Sequence, residues 1–279
     1  MLLKEGDSGD AVKALQRGLN KLGSILIVDG GFGPATRDAV AHARVMLQRP
    51  GPPEADDALQ QTVTALPDPF PSLMAPGVTF IARAEISSPQ AYRRQYKNPI
   101  WPSAESGITI GIGYDLLFVT RDELQEDWSD HLSQDAINRL RTVLQERGSA
   151  ERLASVREVE IPLLAARAVF LRRTLPRYLD QTRSIYPQVD DLPPARRTAL
   201  VSLIYNRGTR LADRDPERQE RREMREIQHP LATGNSEAVA EQLDRMSRLW
   251  DPNRLPDLIQ RRHDEARLWR SGFEALQLA

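Results

Sequence analysis

Apolar residues at Val12, Leu15, Leu19 and Leu22 recur at helical spacing, with Asp10 placed to cap the run and Gly23 to stop it. A glycine-rich loop, Val28-Asp29-Gly30-Gly31-Phe32-Gly33-Pro34, follows. Thr36 then precedes a second helical stretch through Ala39, Val40 and Val45-Met46-Leu47, which Pro50 and Pro52-Pro53 break. A third short helix is predicted from about Asp56 to Leu66. Pro67, Pro69, Pro71 and Pro76 then fall within ten residues, a density that reads as a stiff linker. The expected organisation is a first domain over residues 1–66, a proline-rich linker over 67–76 and a second domain over 77–279.

Beyond Gly77 the pattern is mainly helical, with one exception. In Ser106 to Asp115, Ile108, Ile110 and Ile112 alternate with small residues, which is β-like, and its glycines let a chain or ligand approach the backbone. Ala195 to Asn206 predicts a buried helix with Leu200, Leu203 and Ile204 on one face and Gly208 beyond its end. Leu258 to Trp269 predicts a charged amphipathic helix. The fold class expected is mainly α (α+β): a three-helix bundle followed by a larger helical domain with a small β-hairpin.

A chain of 279 residues suits one small and one large domain, and the larger can bury an ordinary core without metals or disulfides. With 38 basic and 39 acidic residues the net charge is −1, so the whole chain exerts no strong pull on nucleic acid or anionic lipid. The basic cluster Arg218 to Arg225 and the pair Arg261-Arg262 read as solvated or salt-bridged helix faces. The absence of cysteine excludes disulfides, thiol catalysis and cysteine-ligated metal. The start, Met-Leu-Leu-Lys-Glu-Gly-Asp, lacks the basic and apolar regions of a signal peptide, and no apolar run approaches the roughly 20 residues needed to span a bilayer.

Residues 2–47 resemble the peptidoglycan-binding module found beside many cell-wall hydrolases. The residues that carry the resemblance are Leu3, Gly6, Asp7, Gly9, Val12, Leu15-Gln16, Leu19, Leu22-Gly23, Asp29-Gly30, Phe32-Gly33-Pro34, Thr36 and Ala39-Val40. Family members usually have Phe-Gln near the place of His42-Ala43. The resemblance implies wall binding, with Asp29, Phe32, Gly33 and Thr36 as candidate contacts. Physically, the Asp29 to Gly33 loop can fold tightly and expose N–H groups beside an aromatic ring. The plainer reading is that Asp29, Gly30 and Gly33 shape a turn and Phe32 is core.

Glu85, in Phe80-Ile81-Ala82-Arg83-Ala84-Glu85-Ile86, is by itself an ordinary helix carboxylate. Its place before the glycine-rich hairpin, which Asp115 ends, changes its weight, because glycosidic cleavage needs an acid for the leaving oxygen and usually a second carboxylate. A hydroxyl such as Thr109 can help to hold water. The expectation is that Glu85 sits partly withdrawn from water, where it can hold a proton, and that Asp115 stays ionised in a wetter place. Glu105, in an exposed turn over Ser103 to Ser106, is the rival second acid.

Residues 78–272 resemble the phage-type lysozyme superfamily, and most closely its pesticin-like branch. The resemblance rests on Glu85, Pro102, Ser106-Gly107-Ile108-Thr109-Ile110-Gly111-Ile112-Gly113-Tyr114-Asp115-Leu116, Ala199 to Gly208, Arg221 to Met224, and Arg261-Arg262 with Glu265-Ala266 and Leu268-Trp269. It implies Glu85 as general acid and Thr109 as the threonine near the scissile bond. The common pattern has an aspartate nine residues after the glutamate, where this chain has Arg94. In the pesticin-like branch the aspartate follows the threonine by six residues, which fits Asp115. Leu117 stands where the family often has glycine. Tyr114 and Asn206 are candidate substrate contacts on the same resemblance, which also implies that Arg261 or Arg262 pairs with a carboxylate to organise the cleft, Glu85 being one choice.

Other chemistries fit poorly. His42, His131, His229 and His263 are scattered without metal-ligand spacing, no Gly-x-Ser-x-Gly element occurs, and Gly111-Ile112-Gly113 lacks the setting of a dinucleotide site. The expectation is therefore a muramidase that cleaves the bond between N-acetylmuramic acid and N-acetylglucosamine, with no cofactor or metal. A lytic transglycosylase and a non-catalytic wall-binding protein are the alternatives. The expected partner is peptidoglycan, with an immunity protein as a further candidate and neither nucleic acid nor membrane insertion. A phage endolysin or secreted antibacterial effector, made in the cytoplasm and acting on the wall, fits these expectations.

Overall fold

The computed structural model describes residues 1–102 and 105–276. Its principal elements, in chain order, are α1 (Asp10–Lys21), α2 (Pro34–Met46), α3 (Asp57–Ala65), α4 (Met74–Ile86), β1 (Thr109–Ile110), β2 (Tyr114–Asp115), α5 (Arg121–Trp128), α6 (Leu163–Val169), α7 (Leu175–Ile185), α8 (Pro194–Arg207), α9 (Ser236–Arg245) and α10 (Pro256–Ser271), joined by shorter helical turns. The protein is mainly helical with one small antiparallel hairpin, the class its hydrophobic pattern predicts. Two compact units are present: residues 1–81 with 178–279, and residues 82–177.

Within the first unit, α1, α2 and α3 bury Leu3, Val12, Leu15, Leu19, Val40 and Leu59 in one core. The predicted helices form, with shifted starts. Asp10 is the first helical residue of α1 and Gly9 occupies the cap position. Helix α2 begins at Pro34, two residues before Thr36, because proline has the φ of a first helical residue and needs no donor there. Asp56 caps α3 by accepting the Leu59 N–H at 2.8 Å. Residues 67–76 do not run as an open spacer. Asp68 accepts the Ala75 N–H at 2.7 Å, Leu73 is fully buried, and Pro76 lies in the first turn of α4, where its missing N–H leaves no bond unmade.

The rest of this unit packs around α8 and α10. Arg261, Arg262 and Glu265 of α10 are buried, so the arginine pair takes the salt-bridged rather than the solvated of its two expected settings. Arg262 Nη2 donates to Glu265 Oε1 at 2.8 Å, and the Ser202 hydroxyl of α8 donates to the same oxygen at 2.6 Å. Arg261 donates to the Ser202 hydroxyl and carbonyl, both at 3.2 Å. Glu265 is thus a carboxylate partner for the arginine pair inside this unit. Burial pushes the Glu265 carboxyl up against the pull of both arginines, and burial brings Arg262 down to about 10. Among the described residues, no helix is long and apolar enough to cross a membrane.

In the second unit, the hairpin pairs Thr109 with Asp115 and Ile110 with Tyr114. Gly111 and Gly113 take φ of +59° and +63° in the turn, a region that favours glycine. Ile108, Ile110, Tyr114 and Leu116 are buried, and Tyr114 meets Trp128 of α5 edge to face at 5.5 Å.

Candidate functional site

The Leu116 N–H donates to the Ile108 carbonyl at 2.9 Å, so the Thr109–Asp115 pair is one of the narrow pairs of the ladder, where opposed side chains stand closest. The backbone of Thr109 turns the other way and exchanges both its hydrogen bonds with Ile100, at 2.9 and 2.8 Å. The hydroxyl and carboxylate expected to act together therefore share one face of the two-stranded ribbon, to which Ile100 adds an isolated bridge. Thr109 is buried and Asp115 half-buried.

Asp115 Oδ1 accepts the N–H of Gly107 at 3.1 Å and of Leu117 at 2.9 Å, and Oδ2 lies 3.4 Å from the Gly107 nitrogen. The carboxylate thereby closes the hairpin base and caps the turn Leu116–Phe118. Burial pushes the Asp115 carboxyl above its ordinary value, against the pull of the Leu117 and Gly107 N–H groups. This is a drier seat than the wet one expected.

Tyr114 takes a core position in place of a substrate-facing one, because its side of the ribbon packs inward. Its hydroxyl donates to Asp127 Oδ2 at 2.7 Å, and Arg177 donates to the same oxygen at 3.2 Å. Glu85 is half-buried in the last turn of α4. Glu105 is exposed, 3.6 Å from Arg147. Ser103 and Ala104, which open its expected turn, lie outside the described residues. Asn206 is half-buried near the end of α8, in the first unit.

In the N-terminal loop the centre is Gln16. Its amide nitrogen donates to Asp29 Oδ1 at 2.9 Å, to the Gly31 carbonyl at 3.0 Å and to the Thr36 hydroxyl at 3.1 Å, and its oxygen accepts the Gly30 N–H at 2.9 Å. Asp29 also accepts the Gly31 N–H. Slight burial works the other way, but these bonds from Gln16 and Gly31 hold Asp29 below its usual value. Phe32 is 2% exposed and Thr36 is buried, so both serve the core of the loop rather than its rim. Asp29 is exposed and Gly33, at the start of α2, has open space beside it.

Residues 8–43 match the family described as "Putative peptidoglycan binding domain". The matched stretch runs from the α1 cap through the Gln16-centred loop to Ala43 of α2, inside the 2–47 span read from the sequence. It supports an N-terminal peptidoglycan-binding module and, through it, association with the cell wall. No curated protein matches the chain significantly.

Two features of these sites were not singled out from the sequence. Gln16 figured only as part of the module pattern, because its partners lie 13 to 20 residues away and only the fold shows that one amide holds them. Asp127 was not marked in the sequence, yet it is buried beside Tyr114, accepts from both Tyr114 and Arg177, and anchors β2 from behind.

Proposed function

We propose that the chain is a peptidoglycan hydrolase, a muramidase acting on the bond between N-acetylmuramic acid and N-acetylglucosamine. Residues 1–66 hold the wall and residues 77–279 carry the reaction. Glu85 gives its proton to the leaving glycosidic oxygen. Asp115 takes a proton from the attacking water, which Thr109 helps to position, so the sugar gains a hydroxyl and the chain is cut. The observation that carries the reading is the facing of Thr109 and Asp115 across a narrow hairpin pair. The unit that contains it also contains Glu85, and the chain bears a peptidoglycan-binding module. A binding module raises the local concentration of a linked enzyme on an insoluble polymer. Asp29 and Gly33, the open members of the loop, are the wall contacts of this reading.

Lysis by a phage endolysin or a secreted antibacterial effector is the setting that suits such a pair of functions, and an immunity protein is the partner an effector requires. Glu85→Gln keeps the side-chain shape but removes the proton. Release of soluble fragments from purified sacculi should fall at least about a hundredfold. Undiminished release by folded Glu85→Gln protein would contradict the assignment.

A second reading draws on the seat of Asp115. Its Oδ1 is engaged by two backbone N–H groups, as a structural clasp would be. A lytic transglycosylase works with one glutamate and no activated water, and leaves an anhydro sugar end.

A further inference from the structure

Trp101 follows Ile100, the residue whose backbone bridges Thr109. It remains 37% exposed, although a tryptophan side chain gains more than most by burial. Its seat is built for it. A Cβ on Gly148 would stand 2.6 Å from the indole Nε1 and 2.9 Å from Cγ, so the ring lies flush against a backbone that only glycine leaves clear. The Gly148 N–H donates to the Ser106 carbonyl at 2.9 Å, beside Gly107, and Gly107 in turn holds Asp115. A continuous run of backbone contacts thus fixes the indole relative to Thr109 and Asp115.

We propose that Trp101 is a stacking platform for a hexosamine ring of the glycan strand, positioned by Gly148; the proposal rests on the hydrolase reading for its substrate class. The C–H face of a pyranose is apolar and carries slight positive charge, and the face of an indole is apolar and electron-rich. Such a platform recognises a sugar ring without reading its substituents. It would hold one sugar of the strand beside the ribbon that carries Thr109 and Asp115.

The test uses full-length Glu85→Gln protein and glycan strands of alternating N-acetylglucosamine and N-acetylmuramic acid, stripped of stem peptides. The chain has four tryptophans, Trp101, Trp128, Trp250 and Trp269, so residues 1–66 contribute no tryptophan signal. Trp128 and Trp269 are buried, and Trp250→Phe removes the remaining half-exposed one. Added glycan should shield Trp101 from acrylamide quenching. Trp101→Ala should weaken glycan affinity about three- to tenfold, and Trp101→Phe less. Gly148→Ala leaves the indole present but displaces it, so shielding should be lost there too. Combining Gly148→Ala with Trp101→Ala should add no further loss of affinity. Unchanged quenching at the highest glycan concentration, or full shielding in Gly148→Ala, overturns the platform. Failure of the hydrolase reading is distinguishable: wild-type protein would leave sacculi uncut whether or not Trp101 is shielded.

Discussion

Gly107 and Asp115 are held so closely that a Cβ on Gly107 would stand 2.6 Å from Asp115 Oδ1, the oxygen its own N–H donates to. The same Cβ would lie 2.7 Å from the Leu117 nitrogen, the second donor to that oxygen. Gly107→Ala must therefore push the carboxylate away from both donors. Stability should fall by about 1–3 kcal/mol, the usual cost of overpacking, as read from the urea midpoint. Sacculus cleavage should fall further than stability alone explains, because the displaced group is the one proposed to hold water.

Asp115→Asn separates the two roles of that carboxyl. Burial raises the folded-state value of Asp115, so its favourable contribution is complete below the unfolded value near 3.8 and is lost as pH rises through the raised value. Asparagine keeps an oxygen for Gly107 and Leu117 and carries no charge to desolvate. At pH 7 the variant should be at least as stable as wild type, and its advantage should shrink as pH falls toward 3.5. Activity should nonetheless be severely reduced. Urea midpoints at the two pH values, with cleavage measured at pH 7, check both halves.

The amide of Gln16 is 1% exposed and serves four groups of the wall-binding loop. Gln16→Leu preserves bulk but strands the buried Gly30 N–H, while the Gly31 carbonyl keeps the Gly33 N–H at 3.0 Å. Each buried polar group left unpaired costs about 1–3 kcal/mol. Co-sedimentation of full-length protein with sacculi should drop sharply, and catalysis on soluble glycan fragments should change little.

Acid should loosen this module before it alters the hairpin. Asp56 is held below its ordinary value by Arg44 at 2.8 Å and by the Leu59 N–H, and Asp29 is lowered by Gln16 and Gly31. A depressed value means stability that is present above about 3.8 and lost as pH falls through the folded-state values. Protection factors of the α1–α3 amides, exchange rates relative to the unstructured chain at the same pH, should fall below about pH 4, and Asp56→Asn should lessen that acid sensitivity.

The local features of the fold were legible in the sequence. The alternation of Ile108, Ile110 and Ile112 with small residues predicted a hairpin over Ser106 to Asp115, and its turn makes Thr109 and Asp115 partners. Asp56 and Gly208 mark helix ends because capping chemistry acts over a few residues. At α10 the charge pattern allowed a salt-bridged Arg261-Arg262 pair but not its burial with Glu265. Nothing within the helix announces that Ser202, 63 residues before Glu265, would meet it in the core. Tyr114 misled, since a tyrosine beside a presumed acid looks like a ligand until Asp127 is seen to take its hydroxyl.

The buried α10 cluster yields a further expectation. Glu265→Ala leaves Arg262 charged and without its 2.8 Å partner in an interior position, so stability should fall by about 3–5 kcal/mol. Replacing the whole cluster, Arg261→Met and Arg262→Met with Glu265→Leu, should recover most of that loss, because no buried charge is then left without its carboxylate. Thermal or urea unfolding of the single and triple variants tests it; equal losses in both would mean that the pairing itself, and not the stranded charge, sets the stability.

The central claim is hydrolysis of the glycan, and the mass of the products tests it most directly. Purified sacculi digested with wild-type protein, without borohydride reduction, should release muropeptides carrying the mass of one added water and a reducing N-acetylmuramic acid end, while Glu85→Gln should release almost none. Anhydro-muramic ends at the lower mass would contradict hydrolysis and identify a transglycosylase, and intact strands from folded wild-type protein would leave only a wall-binding role.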